Sequence, residues 1–195
     1  MQKKIAVIND LSGYGRCSLT VAIPVLSAMG HQCCPVPTAI LSNHTEFPVY
    51  FFDDYTEKMT AYTDKWKELG LSFDAVATGF LGSEAQIEIV MDMIRKLESE
   101  ETFVVVDPVM GDHGHAYETY TPEMCEQMKE LVCMADIVLP NVTECCILTD
   151  TPYKKENWTR RELLNMAMML RLMGAKSVVI TGVREGSYYT NVVLE

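Results

Sequence analysis

The stretch Asp107-Pro108-Val109-Met110-Gly111-Asp112 decides the reading of the fold. It follows Phe103-Val104-Val105-Val106, a short β-branched run between charged segments. Such a run reads as a strand buried in a parallel sheet. In an open parallel sheet, ligands bind beyond the carboxyl ends of the strands, and Asp107 stands at such an end. Pro108 then stops the strand and Gly111 lets the chain turn sharply. Asp112 adds a second carboxylate on the same loop. Two acids on a tight turn at a strand end suit Mg²⁺ and phosphate chemistry, because the ion takes hard oxygen ligands and keeps much of its water. A solvated turn that merely contains two Asp is the competing reading, and this stretch alone leaves both open.

Working outward, the same alternation of strand, polar exit and helix recurs. Ile5–Ile8 reads as a strand, Asn9–Gly15 as a turn, and Arg16 to Met29 as a helix closed by Gly30. Pro24 inside that helix predicts a kink or a late start. A dinucleotide-binding turn is excluded: Ser18 stands where Gly13-x-Gly15 would need its third Gly, and the next strand, about Cys33 to Ile40, ends without an acid. No P-loop motif occurs. Ser42-Asn43-His44-Thr45 follows that strand; His44 and Thr45 could line a pocket or sit in an ordinary polar turn. Met59, Tyr62, Trp66 and Leu69 make one apolar helix face, which is core. Asp74–Thr78 is a strand with Gly79-Phe80-Leu81-Gly82 as its exit, and Ser83 with Gln86 predicts a capping box.

Beyond Asp112, Thr121-Pro122 starts a helix reaching about Met134. Ile137–Leu139 is a short strand ending in Pro140-Asn141-Val142-Thr143-Glu144, where Asn141 also suits a plain helix cap. Thr159 and Glu162 form a second capping box for a helix stopped by Gly174. Ser177–Thr181 is the next strand, and Tyr188–Leu194 an antiparallel strand or hairpin arm. Six strands separated mainly by helices predict one α/β domain over 1–195, three-layer α/β/α, with a mostly parallel central sheet. Right-handed crossovers bring every strand exit to one edge. Asp10, Thr45, Phe80, Asp107, Asp112, Asn141, Glu144 and Thr181 all fall at those exits, which raises the functional reading above separate solvated turns.

Composition narrows the partners. The chain has 195 residues and a formal net charge of -11. No basic cluster offers a footprint for a phosphate backbone, which argues against nucleic acid. No apolar run is long enough to span a bilayer, and Lys3-Lys4 is followed by only a strand-length apolar run, so neither a membrane nor a signal peptide is expected. The seven Cys are odd in number and include no C-x-x-C, which predicts reduced thiols and a cytoplasmic protein.

These motifs, in this order, resemble the ribokinase-like superfamily and, within it, the pyridoxal kinases. Ser42-Asn43-His44-Thr45 and Asp107-Pro108-Val109-Met110-Gly111-Asp112 carry the resemblance most specifically. Thr78-Gly79-Phe80-Leu81-Gly82-Ser83 and Ala135-Asp136-Ile137-Val138-Leu139-Pro140-Asn141-x-x-Glu144 support it. The resemblance implies transfer of the γ-phosphate of ATP onto the hydroxymethyl oxygen of a vitamin B6 ring. It implies substrate contacts at Asp10, Ser12, His44, Thr45 and Phe80, with Asp10 where the family usually has Ser and Phe80 where it often has Tyr. It implies ATP and phosphate contacts at Asp107, Asn141, Glu144 and Thr181, and Mg²⁺ at Asp107, Asp112 and Glu144, with a monovalent cation such as K⁺ nearby. The loop from His113 to about Thr121 matches a flap over the site, and a homodimer is implied for the full-length protein.

One departure stands out. The family's last third carries a Gly-x-Gly-Asp turn that forms the anion hole and supplies the general base. Gly182-Val183-Arg184-Glu185-Gly186 is the nearest sequence and lacks the Gly-Asp pair. The chain therefore reads as incomplete at the C-terminus, with no catalytic base, little kinase activity of its own and a tendency to self-associate. Two alternatives stay open: a hydroxymethylpyrimidine kinase on the same fold, and a non-catalytic binder of ring or nucleotide.

Overall fold

The computed structural model describes residues 2–97, 99 and 101–195. It is a mixed α/β protein that divides into two compact units, one up to Val104 and one from Val105. In the first unit the order is β1 (Lys4–Tyr14), α1 (Ser18–Ala28), β2 (Gln32–Asn43), β3 (Phe52–Asp54), α2 (Thr56–Glu68), β4 (Ala75–Thr78) and α3 (Glu84–Leu97). Strands β4, β1 and β2 run parallel, and β3 pairs antiparallel with β2. Ala6, Ile8, Val36, Val76 and Ile87 form the core of this unit.

The division falls inside β5 (Phe103–Val106). The second unit continues with β6 (Gly111–Asp112), β7 (His115–Ala116), α4 (Pro122–Cys133), β8 (Ile137–Val138), α5 (Val142–Leu148), α6 (Arg160–Met173), β9 (Ser177–Glu185) and β10 (Tyr188–Leu194). Here β5, β8 and β9 run parallel and β10 closes antiparallel on β9. Met128, Leu131, Val138, Leu148, Leu163 and Ile180 fill its core. Parallel strands joined through helices place their exits on one edge within each unit, which is where the polar residues gather.

Several boundaries differ from the sequence reading. Asn9–Gly15 is not a free turn: β1 runs on to Tyr14, pairing with β2 through a register shift between Asn9 and Leu11. The extra residue is in β2, where Thr38 and Ala39 stand against Asp10, while β1 keeps its alternation and leaves Asp10 and Ser12 on the buried side with Ala6 and Ile8. Helix α1 starts at Ser18 rather than Arg16 and continues through Pro24. The Ser83–Gln86 box is only half made. Gln86 N–H donates to the Ser83 hydroxyl, but the Gln86 side chain instead accepts from Gly82 N–H and donates to the carbonyl of Thr38 and the hydroxyl of Thr56. The Thr159–Glu162 box is complete.

Candidate active site

In the second unit the site is built by the first turn of α5. Asn141 caps that helix, and Asn141 and Glu144 form a reciprocal capping box. The same side chains reach the loop after β5. The Asn141 amide donates to the Gly111 carbonyl at 2.8 Å. The Glu144 carboxylate accepts from Met110 N–H at 3.2 Å and from Asn141 N–H at 2.7 Å. The Thr143 hydroxyl accepts from Gly114 N–H at 2.9 Å. Thr143 was not expected to matter, although it sits inside the Asn-x-x-Glu spacing. Asn141 also bridges to Thr181, whose N–H donates to the Pro140 carbonyl at 2.8 Å.

The loop they hold is a two-residue hairpin. β6 and β7 pair antiparallel, and His113 and Gly114 between them have φ of 52° and 87°. Both central residues in the left-handed region make the turn whose twist suits a short hairpin. Gly111 has no room for a side chain, because a Cβ there would lie 2.3 Å from the His115 carbonyl oxygen. The segment expected as a flap therefore begins as a β-ribbon tied to α5.

Two acids in this unit are withdrawn from solvent without a counter-charge among the described residues. Glu144 is buried, and burial, with the Asp107 charge adding to it, pushes its carboxyl up to about 8 despite the N–H donors from Asn141, Met110 and Gly111. Burial alone raises Asp107 to about 6. No Lys, Arg or His forms an ion pair with either among the described residues. Tyr120 is buried close enough to feel both charges, and its hydroxyl has no partner among the described residues. A buried and a half-buried acid without a cation among the described residues fit Mg²⁺, which binds through one or two carboxylates and completes its shell with water and phosphate.

The expected triad, however, is not gathered. Among the described residues no three His, Cys, Asp or Glu side chains converge to hold a metal. Asp112 turns to its own ribbon, accepting from His113 N–H at 2.7 Å, and His113 is almost fully exposed.

The residues expected to hold a ring lie in the first unit. Asp10 is buried at 7% exposure and accepts hydroxyl hydrogen bonds from Ser12, at 2.9 Å, and from Ser18. Ser18 opens α1 at φ 50°, a conformation that is uncommon for Ser. Neither Ser18 nor Asn9 was expected here. The Asn9 side-chain oxygen accepts from Phe80 N–H at 3.0 Å, fixing the β4 exit. Gly79 lets Asn9 approach so closely that a Cβ would sit 2.2 Å from its amide nitrogen. The Phe80 carbonyl accepts from the buried Thr38 hydroxyl. After β2, Asn43 donates to the carbonyls of His44 and Val49 and so ties the loop. His44 is half-buried beside Glu46, and Thr45 is exposed.

A profile of the family described as phosphomethylpyrimidine kinase matches residues 21–195. The chain belongs to that family. A Bacteroides thetaiotaomicron protein provisionally named phosphomethylpyrimidine kinase, crystallised with pyridoxal, is 45% identical, with a TM-score of 0.91 over 96% of this chain and 65% of its own. The pyridoxal kinase of Lactobacillus plantarum is 30% identical, with a TM-score of 0.90 over 100% of this chain and 69% of its own. The pyridoxal kinase of Dictyostelium discoideum is 29% identical over 93% of this chain and 60% of its own length. The chain thus spans less than two thirds of the Dictyostelium relative. The resemblance to pyridoxal kinases in the ribokinase-like superfamily holds in sequence and in fold. Among the described residues no helix is long and apolar enough to cross a membrane.

Proposed function

We propose that this chain carries the ring and phosphate sites of a kinase that phosphorylates the hydroxymethyl group of pyridoxal, pyridoxamine or pyridoxine with ATP. The observation that carries the reading is the Asp107–Glu144 pair: a half-buried Asp107 at the exit of β5 and a buried Glu144 in the cap of α5, neither with a basic partner among the described residues. Asp107 and Glu144 would hold Mg²⁺, with a monovalent cation as the second candidate counter-charge. When bound, Mg²⁺ neutralises charge on the transferring phosphoryl oxygens. Asn141 fixes the loop, while Asn141 and Thr181 face the phosphates. Asp10, Ser12, His44, Thr45 and Phe80 would contact the ring. The Bacteroides relative crystallised with pyridoxal supports the ring assignment. We read the full-length protein as a cytoplasmic homodimer.

Two of these acids are engaged, Asp10 by two hydroxyls and Glu144 by backbone N–H groups. With neither of those two available as a base, the chain should bind a vitamer and turn it over slowly. Calorimetric titration with pyridoxal and with hydroxymethylpyrimidine tests the reading. Saturable binding that prefers pyridoxal supports it. A preference for hydroxymethylpyrimidine favours the second reading, a thiamine-type kinase, which the family description supports. A folded chain that binds neither overturns both.

A further inference from the structure

The second unit holds a cleft of about 950 Å³, lined partly by Asp112 and Asn141 and partly by residues without an assigned role. Asp112 and Asn141 form one wall, and Lys155, Arg184 and Tyr189 are part of the rest. The chain is strongly acidic, with 16 Lys and Arg against 27 Asp and Glu. Some of the second unit's bases are spent on acids: Lys129 on Glu126 and Asp150, Lys154 on Glu162, Lys176 on Asp136. Lys155 and Arg184 are not. Neither has an acidic partner among the described residues, and the guanidinium of Arg184 makes a single bond of 3.4 Å, from Nε to the Gly186 carbonyl. Arg184 follows Thr181 by three residues on β9, so it lies beyond the point where β9 leaves the Asn141 bridge. The acids on the same cleft are Asp112 and Glu156, and its other ionisable groups include His113 and His115. Two cations without acidic partners among the described residues and two acids therefore line one cleft.

We infer that Arg184 and Lys155 clamp the polyphosphate tail of the nucleotide in this cleft. Arg184 would supply a planar fork of donors and Lys155 a point charge. The inference rests on the kinase reading and adds to it two residues outside every motif that carries the resemblance. A polyphosphate brings several negative charges, so it fits these cations better than a neutral ring does. Asp112 and Glu156 repel it unless the magnesium that accompanies a nucleotide lies between them.

The test titrates the full chain with inorganic tripolyphosphate in the presence of Mg²⁺, and separately with pyridoxal. Arg184→Ala and Lys155→Ala should each weaken tripolyphosphate binding about tenfold or more, the range of a charged hydrogen bond. Pyridoxal binding should stay unchanged, and Arg184→Lys should recover part of the loss. Binding by the native chain should weaken with added salt more steeply than binding by the double variant. Both side chains are at the surface, so circular dichroism should show native folding in each variant. Tripolyphosphate binding that survives Arg184→Ala undiminished overturns the clamp, as does a native chain that binds no tripolyphosphate. The pyridoxal arm reports separately on the ring site: a chain that keeps Arg184-dependent tripolyphosphate binding but ignores pyridoxal loses the vitamer assignment and keeps the clamp.

Discussion

At the scale of single residues, Glu144 meets two opposed demands. Its oxygens accept backbone N–H groups from Met110 and Asn141, which favours the anion. Its burial beside Asp107 disfavours the anion more strongly, and the carboxyl moves up. Glu144→Ala should therefore cost about 2–4 kcal/mol, because it strands two buried donors as well as uncapping α5. Glu144→Gln keeps an acceptor and the shape, so it should fold, while losing any thermal stabilisation by Mg²⁺. Urea denaturation of both variants, with and without the ion, checks the pair. Asp10 is the counterpart in the first unit. Asp10→Ala leaves the hydroxyls of Ser12 and Ser18 without their acceptor and should cost about 1–3 kcal/mol by the same measurement. An unchanged urea midpoint would mean that those hydroxyls find water instead.

At the scale of elements, α5 has seven residues and cannot stand by its own propensity. It persists because its cap and the ribbon after β5 satisfy each other: Asn141 to Gly111, Thr143 to Gly114, Glu144 to Met110. Gly114→Ala strikes this clasp. The residue has φ 87°, and a Cβ would lie 2.4 Å from Cδ1 of Tyr153. The variant should lose about 1–2 kcal/mol, with faster amide exchange confined to 111–116 if the clasp acts as one element. Much of this was legible in sequence. Asp107 at a strand exit, Asn141 as a cap and the Thr159–Glu162 box follow from local chemistry, because caps and strand ends are written in neighbouring residues. The length of β1 was not legible, because its polar second half stays paired through an extra residue in β2, between Pro37 and Ile40. Ser18, Asn9 and the true partners of Gln86 were hidden for a related reason: their bonds join segments far apart in the chain. Only the period-two burial of Asp10 and Ser12 left a trace, and the Gly13-x-Gly15 turn signal masked it.

At the scale of the whole molecule, the raised acids make stability depend on pH in a direction opposite to most carboxylates. Asp107 moves from 3.8 to about 6 and Glu144 from 4.5 to about 8. Between those limits the folded chain binds more protons than the unfolded one, so stability falls as pH rises. The contribution is fully present below about pH 4 and is lost as pH passes through 6 and 8. Asp54, Asp74 and Glu162 act the other way: hydrogen bonds and cations lower their carboxyls, and their contribution is lost as pH falls below about 4. The two trends together place the stability optimum of the metal-free chain on the acid side of neutrality, with a decline toward pH 8. General repulsion at a net charge of -11 would also produce a decline, so the variant decides between the causes. Thermal melts from pH 4 to 9 should show a steep fall for the native chain and a flatter one for Glu144→Gln. Mg²⁺ should raise the native melting temperature most at the alkaline end, since the ion competes with protons for these acids. Parallel slopes for native chain and variant would assign the decline to overall charge and remove the buried pair as its source.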